Sequence, residues 1–247
     1  MSLPELPGLV SADQLQLTAS TIAEWQLPNG MIPWFPGGHS DPWNHIEAAM
    51  ALAVTGNLDQ AEAAYQWLID TQHQEGPGKG GWHQYYLTDG IEDPKFDANV
   101  IAYIATGVWH HWLMTGDRGF LETLWPTVEA AITFVLQLQT PIGGIKWARQ
   151  ADGTAFDYAL LTGSSSICHS LRCAVAVGEE LGHERPGWEL SLANLAHAVR
   201  TQPVGAFAPK ERWAMDWYYP VLSGAFDHAD GRAHLDRHAD KFILAGH

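Results

Sequence analysis

The sequence predicts an all-α protein whose helices pair into hairpins and form an α/α toroid. Helical periodicity extends through most of the 247 residues, and no useful stretch alternates apolar and polar residues as a half-buried strand would. Segments 25–34 (WQLPNGMIPW) and 138–147 (LQTPIGGIKW) share one pattern, in which a Trp follows a Gln by eight residues. Segment 71–82 is a looser third copy with a spacing of ten. Such internal repeats are typical of stacked helical hairpins.

Capping residues define the helix starts along the chain. Ser11, Asp41 and Asp97 each precede a helical pattern, and Pro42 suits a first helical turn. The serines at 164–166 are assigned the same capping role, and glycines mark several helix ends. Nine helices are therefore expected, at 11–26, 42–55, 58–73, 97–115, 119–139, 164–181, 188–201, 214–226 and 229–245.

The connections between these helices are of two kinds. Four helices, opening near residues 42, 97, 164 and 215, follow long loops rich in polar and aromatic residues, whereas others follow tight glycine turns. Small residues, as in AAMALAVTG, allow helices to pack closely, so we predict that the four helices that follow long loops form the inner ring. A closed ring of six hairpins needs twelve helices, so we expect an open ring or a chain that stops before closure, as the apolar end DKFILAGH also indicates. Residues 1–247 are expected to form a single domain.

Composition excludes several function classes. Hydrophobic residues make up 46% and charged residues 17% of the chain, which favours a folded globule, and the formal net charge of −15 disfavours nucleic acid and anionic membranes. Cys168 and Cys173 do not form a disulfide framework, no signal peptide is visible, and no apolar run reaches the length of a membrane span. The expected compartment is the cytoplasm, and the oligomeric state stays open.

The long loops are expected to meet at one rim of the toroid, where their aromatic and ionisable residues would share a cleft. Sugar rings stack on Trp and Tyr, hydroxyl groups bond to polar side chains, and two carboxylates can act as acid and base. The candidate catalytic residues are Asp41, Asp216, Glu47 and Asp97. The candidate substrate-binding residues are Trp34, His39, Trp43, His45, Trp82, Tyr158, Trp217 and Tyr218.

Each candidate also has a structural interpretation. Asp41 and Asp97 stand where helix caps stand, and Trp residues often pack in a core. Glu47 lies beside Ala, Ala and Met on an expected inner helix, and Asp216 lies among large apolar residues, so both are unusual places for a solvated carboxylate. HLDRH (234–238) could bind a metal through two His, but a surface helix is the simpler interpretation. No nucleotide or metalloprotease motif occurs, and no metal or cofactor is expected.

The loop repeats, together with GDRGFLETLWPTVEAAITFVLQLQ (116–139), resemble the six-hairpin glycosidases of the glucoamylase kind. The whole chain more closely resembles an actinobacterial group often labelled prenyltransferase-like, which includes mycobacterial α-endomannosidases that cut 3-O-methylmannose polysaccharide. The resemblance implies a six-hairpin toroid, further inner helices after residue 247, and carboxylates at the rim positions of Asp41, Glu47, Asp97 and Asp216. The prenyltransferase label itself fits poorly, because the Asp-x-Asp-Asp acid of terpene cyclases is absent and Asp157 is not followed by Cys as a zinc site would require.

Three functions follow as hypotheses. The first is a cytoplasmic glycoside hydrolase that acts endo on a partly O-methylated α-mannan, with inversion preferred. The second is a non-catalytic glycan-binding toroid, which would need no pair of carboxylates with separated pKa values. The third is an isoprenoid-handling enzyme, which would need a dry cavity poor in carboxylates and a zinc or magnesium ion.

Overall fold

The computed structural model of this protein describes residue 3, residues 5–210 and residues 212–243. Most of these residues are helical, and the strands form two small antiparallel ladders, so the all-α prediction is confirmed. The helices are α1 (Ala12–Trp25), α2 (Pro42–Val54), α3 (Leu58–Thr71), α4 (Ala98–Ala102), α5 (Ile104–Thr115), α6 (Arg118–Leu136), α7 (Leu161–Leu181), α8 (Pro186–Thr201), α9 (Ala214–Leu222) and α10 (His228–Phe242). The strands are β1 (Tyr85–Leu87) with β2 (Gly90–Asp93), and β3 (Phe96–Asp97) with β4 (Ala148–Arg149).

The predicted caps at Ser11, Asp41 and Asp97 are confirmed, since each side chain accepts a backbone N–H of the following helix. The predicted caps at 164–166 are wrong. Helix α7 begins one turn earlier, at Leu161, and the three serines are buried inside it. Ser165 satisfies its hydroxyl within the helix by donating to the Leu161 carbonyl, which removes the need for a capping position.

Further helix boundaries differ from the sequence prediction, including the end of α9, which lies at Leu222 rather than at the predicted residue 226. The predicted helix 97–115 is divided at Tyr103 into α4 and α5. The last helix, predicted to reach residue 245, extends to Phe242, and residues 244–247 lie outside the described part of the chain.

The helices that follow long loops form the inner layer, as predicted. Helix α2 packs on α5, α5 on α7, and α7 on α9, so the successive inner helices contact one another directly. The outer helices pack against this layer, with α3 on α2, α6 on α4, α5 and α7, and α8 on α7. The apolar core fills the space between the two layers. None of the described helices combines the length and apolarity that a membrane crossing requires.

The loop repeat has a structural cause. In each copy a Gln side chain donates to the carbonyl of a glycine in its own loop and to a carbonyl of the next outer helix. These bonds join Gln26 to Gly30 and Gln60, Gln72 to Gly80 and Thr127, and Gln139 to Gly143 and Ser191. The glycines have positive φ, and a Cβ on Gly80 would lie 2.3 Å from the Ala130 carbonyl oxygen. The repeat therefore fixes each long loop to an outer helix, which sets the position of the rim residues that follow.

Candidate functional site

A cavity of about 290 Å³ lies between the inner helices, and its walls come from α2, α7 and the end of α9, and from Tyr103 at the junction of α4 and α5. This volume is at the lower end of small-molecule pockets, of roughly 300–1,000 Å³, and suits one sugar ring. We call it the central cavity. Its lining residues are Trp43, Glu47, Tyr103, Ser166, His169, Tyr219, Leu222 and Ser223.

Glu47 is the only carboxylate among the described lining residues of the central cavity. The Tyr103 hydroxyl donates a hydrogen bond to Glu47 Oε1, and the Tyr103 ring stacks on Trp43 with 4.6 Å between centroids. Burial, followed by the hydrogen bond to Glu47 and its charge, raises the pKa of Tyr103 well above the ordinary value. The phenol therefore stays protonated and remains a donor to the carboxylate.

The aromatic and imidazole groups around Glu47 favour their neutral forms. Burial raises the pKa of Tyr219, and Tyr218 and Glu47 add to the effect. Burial lowers the pKa of His110, although the charge of Glu47 opposes this shift, and burial with the charge of Arg172 lowers the pKa of His169. Neutral phenols and imidazoles can both donate and accept hydrogen bonds, as the hydroxyl groups of a sugar require.

Asp41 has donors on both carboxylate oxygens. Its Oδ1 accepts the Asn44 backbone N–H at 3.0 Å, while Oδ2 accepts the Trp34 indole N–H and the Asn44 side-chain amide, each at 2.7 Å. The residue is 2% exposed. Asp41 therefore caps α2 and fixes the rim residue Trp34.

Asp97 has an equivalent set of contacts at the start of α4. Its Oδ1 accepts the backbone N–H groups of Asn99 and Val100, and Oδ2 accepts the Trp147 indole N–H. Burial raises the pKa of Asp97 to about 6, although these hydrogen bonds and the charge of Lys95 favour the ionised form. Asp97 is thus a cap whose protonation state changes close to neutral pH.

Asp216 lies at a second cleft, of about 500 Å³, beside Trp217, His234 and His238. The hydroxyl and the backbone N–H of Thr162 both donate to Asp216 Oδ1, at 2.6 and 3.2 Å. Since the residue at the start of α7 provides no side-chain cap, Asp216 supplies one from α9. The Trp217 ring stacks on Phe242, and its indole N–H donates to the Leu235 carbonyl.

The predicted rim positions of His45 and Trp82 are corrected by the structure. Trp82 is fully buried and donates its indole N–H to the Leu68 carbonyl. His45 is 1% exposed and bonds to the backbone of Ile32 and Ala64, and burial lowers its pKa to about 4. Neither side chain is open to a ligand, because each has its polar atoms satisfied inside the core.

The other predicted substrate-binding residues lie at or near the surface, in separate groups. Trp34 is 46% exposed and contacts His39, which stacks on Tyr85 and pairs with Glu92 at 2.7 Å. Elsewhere, Tyr158 stacks on Trp147, and Tyr218 lies against Tyr219. Only Trp43 and Glu47, of all the predicted site residues, line the central cavity together.

Sequence reasoning missed Tyr103, Ser166, His169 and Tyr219 as cavity residues. A usable signal existed for Tyr103, which is the aromatic side chain in a segment of otherwise small or aliphatic residues, IAYIATG (101–107). Ser166 was assigned to a helix start, and the sequence did not show which face of the predicted helix 164–181 carries His169.

Comparisons with known proteins agree with this architecture. No family model matches the chain. The chain is 46% identical over 245 residues to the MMP endo-(1,4)-3-O-methyl-α-D-mannosidase of Mycolicibacterium hassiacum, and the match covers 99% of this chain and 67% of that protein.

Solved structures with the same fold include several glycosidases. A rhamnosidase from Klebsiella oxytoca matches with a TM-score of 0.63 and 14% identity, over 97% of this chain and 50% of that one. A family 76 mannosidase from Bacteroides thetaiotaomicron matches with a TM-score of 0.55 and 12% identity, over 83% and 60%. An endo-β-1,4-glucanase from Acetobacter xylinum matches with a TM-score of 0.63 and 14% identity, over 90% and 76%. Identities this low support the toroid fold alone.

Proposed function

The chain belongs to the family of the endo-acting 3-O-methyl-α-mannosidases, and from this membership we propose that it hydrolyses internal α-mannosidic bonds of a partly O-methylated mannose polysaccharide. The chain spans about two thirds of the length of the relative, so the complete activity is part of the proposal. We also propose an actinobacterial cytoplasm as its setting, which the two free cysteines, Cys168 and Cys173, support.

The position of the Glu47 carboxylate is the observation that best supports hydrolysis. This carboxylate lies inside a cavity of suitable size, it accepts a hydrogen bond from the Tyr103 phenol, and Trp43, whose ring stacks on Tyr103, lines the same cavity. A carboxylate placed in this way can activate a water molecule or attack the anomeric carbon, while a second carboxyl group protonates the glycosidic oxygen. Glu47 is therefore our first candidate for the base or the nucleophile.

The catalytic roles of Asp216, Asp41 and Asp97 remain part of the proposal. Asp216 ranks second, because it lines an open cleft and both Thr162 donors bind the same one of its two oxygens. Asp97 has a pKa suited to a general acid, but a direct role for Asp97 or Asp41 requires the carboxyl group to turn away from its indole partner. Inversion remains our expected stereochemistry, and it requires about 6.5–9.5 Å between the two carboxyl groups.

One observation favours a second candidate function, a glycan-binding protein without hydrolytic activity. Hydrolysis takes two carboxyl groups, and the described walls of the central cavity hold only Glu47. The methyl groups of the substrate suit either function, since Trp43 and Leu222 provide apolar wall.

Incubation with methylated and plain manno-oligosaccharides, followed by mass analysis of the products, tests the proposal. We expect internal cleavage of the methylated substrate by the wild type and its loss in Glu47→Gln. Binding of the intact oligosaccharide without any cleavage would support the binding function and overturn the hydrolase proposal. The absence of both binding and cleavage would overturn both candidates.

A further inference from the structure

A second pocket of the size of a sugar ring lies between α1 and α2, outside the central cavity. Its volume is about 300 Å³, close to that of the central cavity, and the two sets of lining residues have no member in common. We call it the α1–α2 pocket. Its lining residues are Ile22, Trp25, Ile32, Pro33, Trp34, Asn44 and Ala48.

Two tryptophans form walls of the α1–α2 pocket from different parts of the chain. Trp25 is the last residue of α1 and is half-buried, whereas Trp34 belongs to the loop before α2 and is 46% exposed. The Trp34 ring is held in place, because its indole N–H donates to Asp41 Oδ2 at 2.7 Å and its ring contacts His39 and Tyr85 edge-on. A ring that is already fixed loses little conformational freedom when a ligand binds.

The α1–α2 pocket has few polar groups, and those it has are open to a ligand. The side-chain N–H of Asn44 donates to Asp41 Oδ2 at 2.7 Å, which orients the amide, and its Oδ1 has no partner within the described residues. Asn44 is exposed. The Trp25 indole nitrogen also has no partner in the described part of the chain, and it is not enclosed by protein. The pocket therefore offers an acceptor and a donor between apolar walls.

This combination suits a neutral sugar residue. A sugar ring has an apolar C–H face and hydroxyl groups that donate and accept hydrogen bonds, and ligand pockets typically combine apolar walls with a few polar groups. No charged side chain occurs among the described lining residues, which disfavours an ionic ligand. The aliphatic lining residues can contact methyl ether groups without any loss of hydrogen bonds. They are Ile22, Ile32, Pro33 and Ala48.

Helix α2 contributes side chains to both pockets. Trp43 and Glu47 line the central cavity, whereas Asn44 and Ala48 line the α1–α2 pocket. Residues four apart share a helical face, and consecutive residues are rotated by about 100° around the helix axis. The two pockets therefore lie on neighbouring faces of one helix, at the same level along it.

We propose that the α1–α2 pocket is a second sugar-binding site, which holds a residue of the polysaccharide remote from the bond that is cleaved. The rings of Trp25 and Trp34 stack on the sugar, the Trp25 N–H donates to one of its oxygens, and Asn44 Oδ1 accepts from a free hydroxyl. Contacts with parts of a substrate that do not react provide binding energy that an enzyme uses at the reacting bond. The inference rests on the proposed function, because it takes the ligand to be a partly methylated mannose chain.

The test measures dissociation constants for short and long methylated manno-oligosaccharides by titration calorimetry. Trp25→Ala removes one wall of the α1–α2 pocket, and Trp25→Phe keeps a ring but removes the N–H. Trp213→Ala is the matched control, since Trp213 is 52% exposed and lines neither pocket. Trp25→Ala should reduce the advantage in affinity of long over short oligosaccharides by about tenfold, as expected for the loss of one stacked ring. Trp25→Phe should lose less, and the control should match the wild type.

An unchanged advantage in a folded Trp25→Ala variant would overturn the inference. Equal losses for short and long oligosaccharides would also overturn it, because the variant would then act through the fold or the central cavity. Melting temperatures identify any unfolding, and if Trp25→Ala does not fold, Trp25→Phe and Trp34→Ala decide the question in the same assay.

Failure of the proposed function gives a different result. Length-dependent binding that Trp25→Ala weakens, without any cleavage by the wild type, would support the second site and overturn the hydrolase proposal. Normal cleavage with unchanged affinities in the variants would overturn the second site alone. A wild type that binds long and short oligosaccharides equally well would also overturn the second site.

Discussion

Replacement of Glu47 by Gln is the most direct test of the catalytic reasoning. The substitution keeps the shape of the side chain and removes its charge and its ability to accept a proton. A positioned proton-transfer group contributes roughly 10²–10⁴-fold to the rate, so we expect kcat to fall by that factor. The KM should change little, because the amide oxygen still occupies the same place in the central cavity.

The expected change in stability is small, which separates catalysis from folding. In the Glu47→Gln variant the Tyr103 hydroxyl can still donate to the new amide oxygen in place of the carboxylate. A hydrogen bond to a charged group contributes about 1.5–3 kcal/mol and a neutral one about 0.5–1.5 kcal/mol, so the loss is about 1 kcal/mol. For a domain of this size, such a loss lowers the melting temperature by about 2–4 °C.

The assay measures initial rates on a methylated manno-oligosaccharide, with thermal unfolding of the same preparations. Tyr103→Phe is the matched variant, since it removes the donor to Glu47 and keeps the carboxylate. We expect it to lose much less activity than Glu47→Gln. Wild-type kcat in a folded Glu47→Gln variant would refute the assignment of Glu47, and equal losses in both variants would show that the pair acts through positioning.

Three further predictions follow from burial, charge and backbone geometry. The folded pKa of Asp97, about 6, exceeds its ordinary value of 3.8, so its contribution to stability is fully present below about pH 4 and is lost as the pH rises through 6. Unfolding measured between pH 4 and 7 should therefore show about 2–3 kcal/mol of pH dependence that Asp97→Asn lacks, and identical profiles would contradict the raised pKa. Trp34→Ala should keep the fold and weaken oligosaccharide binding by about 1–3 kcal/mol, measured by binding titration. Trp82 is buried, so Trp82→Ala should destabilise the fold by about 3–5 kcal/mol, measured by denaturant unfolding. Unfolding of the Trp34→Ala variant would instead place that ring in the core. Gly80→Ala should lower the free energy of unfolding by about 1 kcal/mol more than Gly56→Ala does, as measured in denaturant. Both glycines have positive φ, but of the two only Gly80 has a carbonyl oxygen 2.3 Å from the position of an added Cβ. Equal losses in the two variants would exclude a role for that contact.

The helix starts at Asp41 and Asp97 and the loop repeat could be read from the sequence because they depend on local chemistry. Asp41 and Asp97 cap their helices as expected, since a carboxylate reaches the backbone N–H groups two or three residues ahead wherever the fold places it. The loop repeat was visible for a related reason. The same Gln and Gly are needed wherever a long loop is fixed to a neighbouring outer helix.

The candidate site could be predicted only in part. Trp34 is exposed whereas Trp82 is buried, and Trp82 follows its glycine by two residues where Trp34 follows by four. This difference turns the ring of Trp82 into the core. Spacing along one loop does not reveal it, because the direction of a loop side chain depends on the backbone path.

The sequence by itself determined the helical class, the order of inner and outer helices and the supply of aromatic and acidic residues at the rim. These properties follow from periodicity, caps and composition, which act within a few residues. Only the tertiary structure decided which polar groups meet. It joins Glu47 to Tyr103 across 56 positions and Asp216 to Thr162 across 54, and within the described residues it leaves Trp43 and Asn99 with unpaired polar atoms. Such encounters depend on how helices distant in sequence pack together, and that packing is set by the whole core rather than by any local pattern.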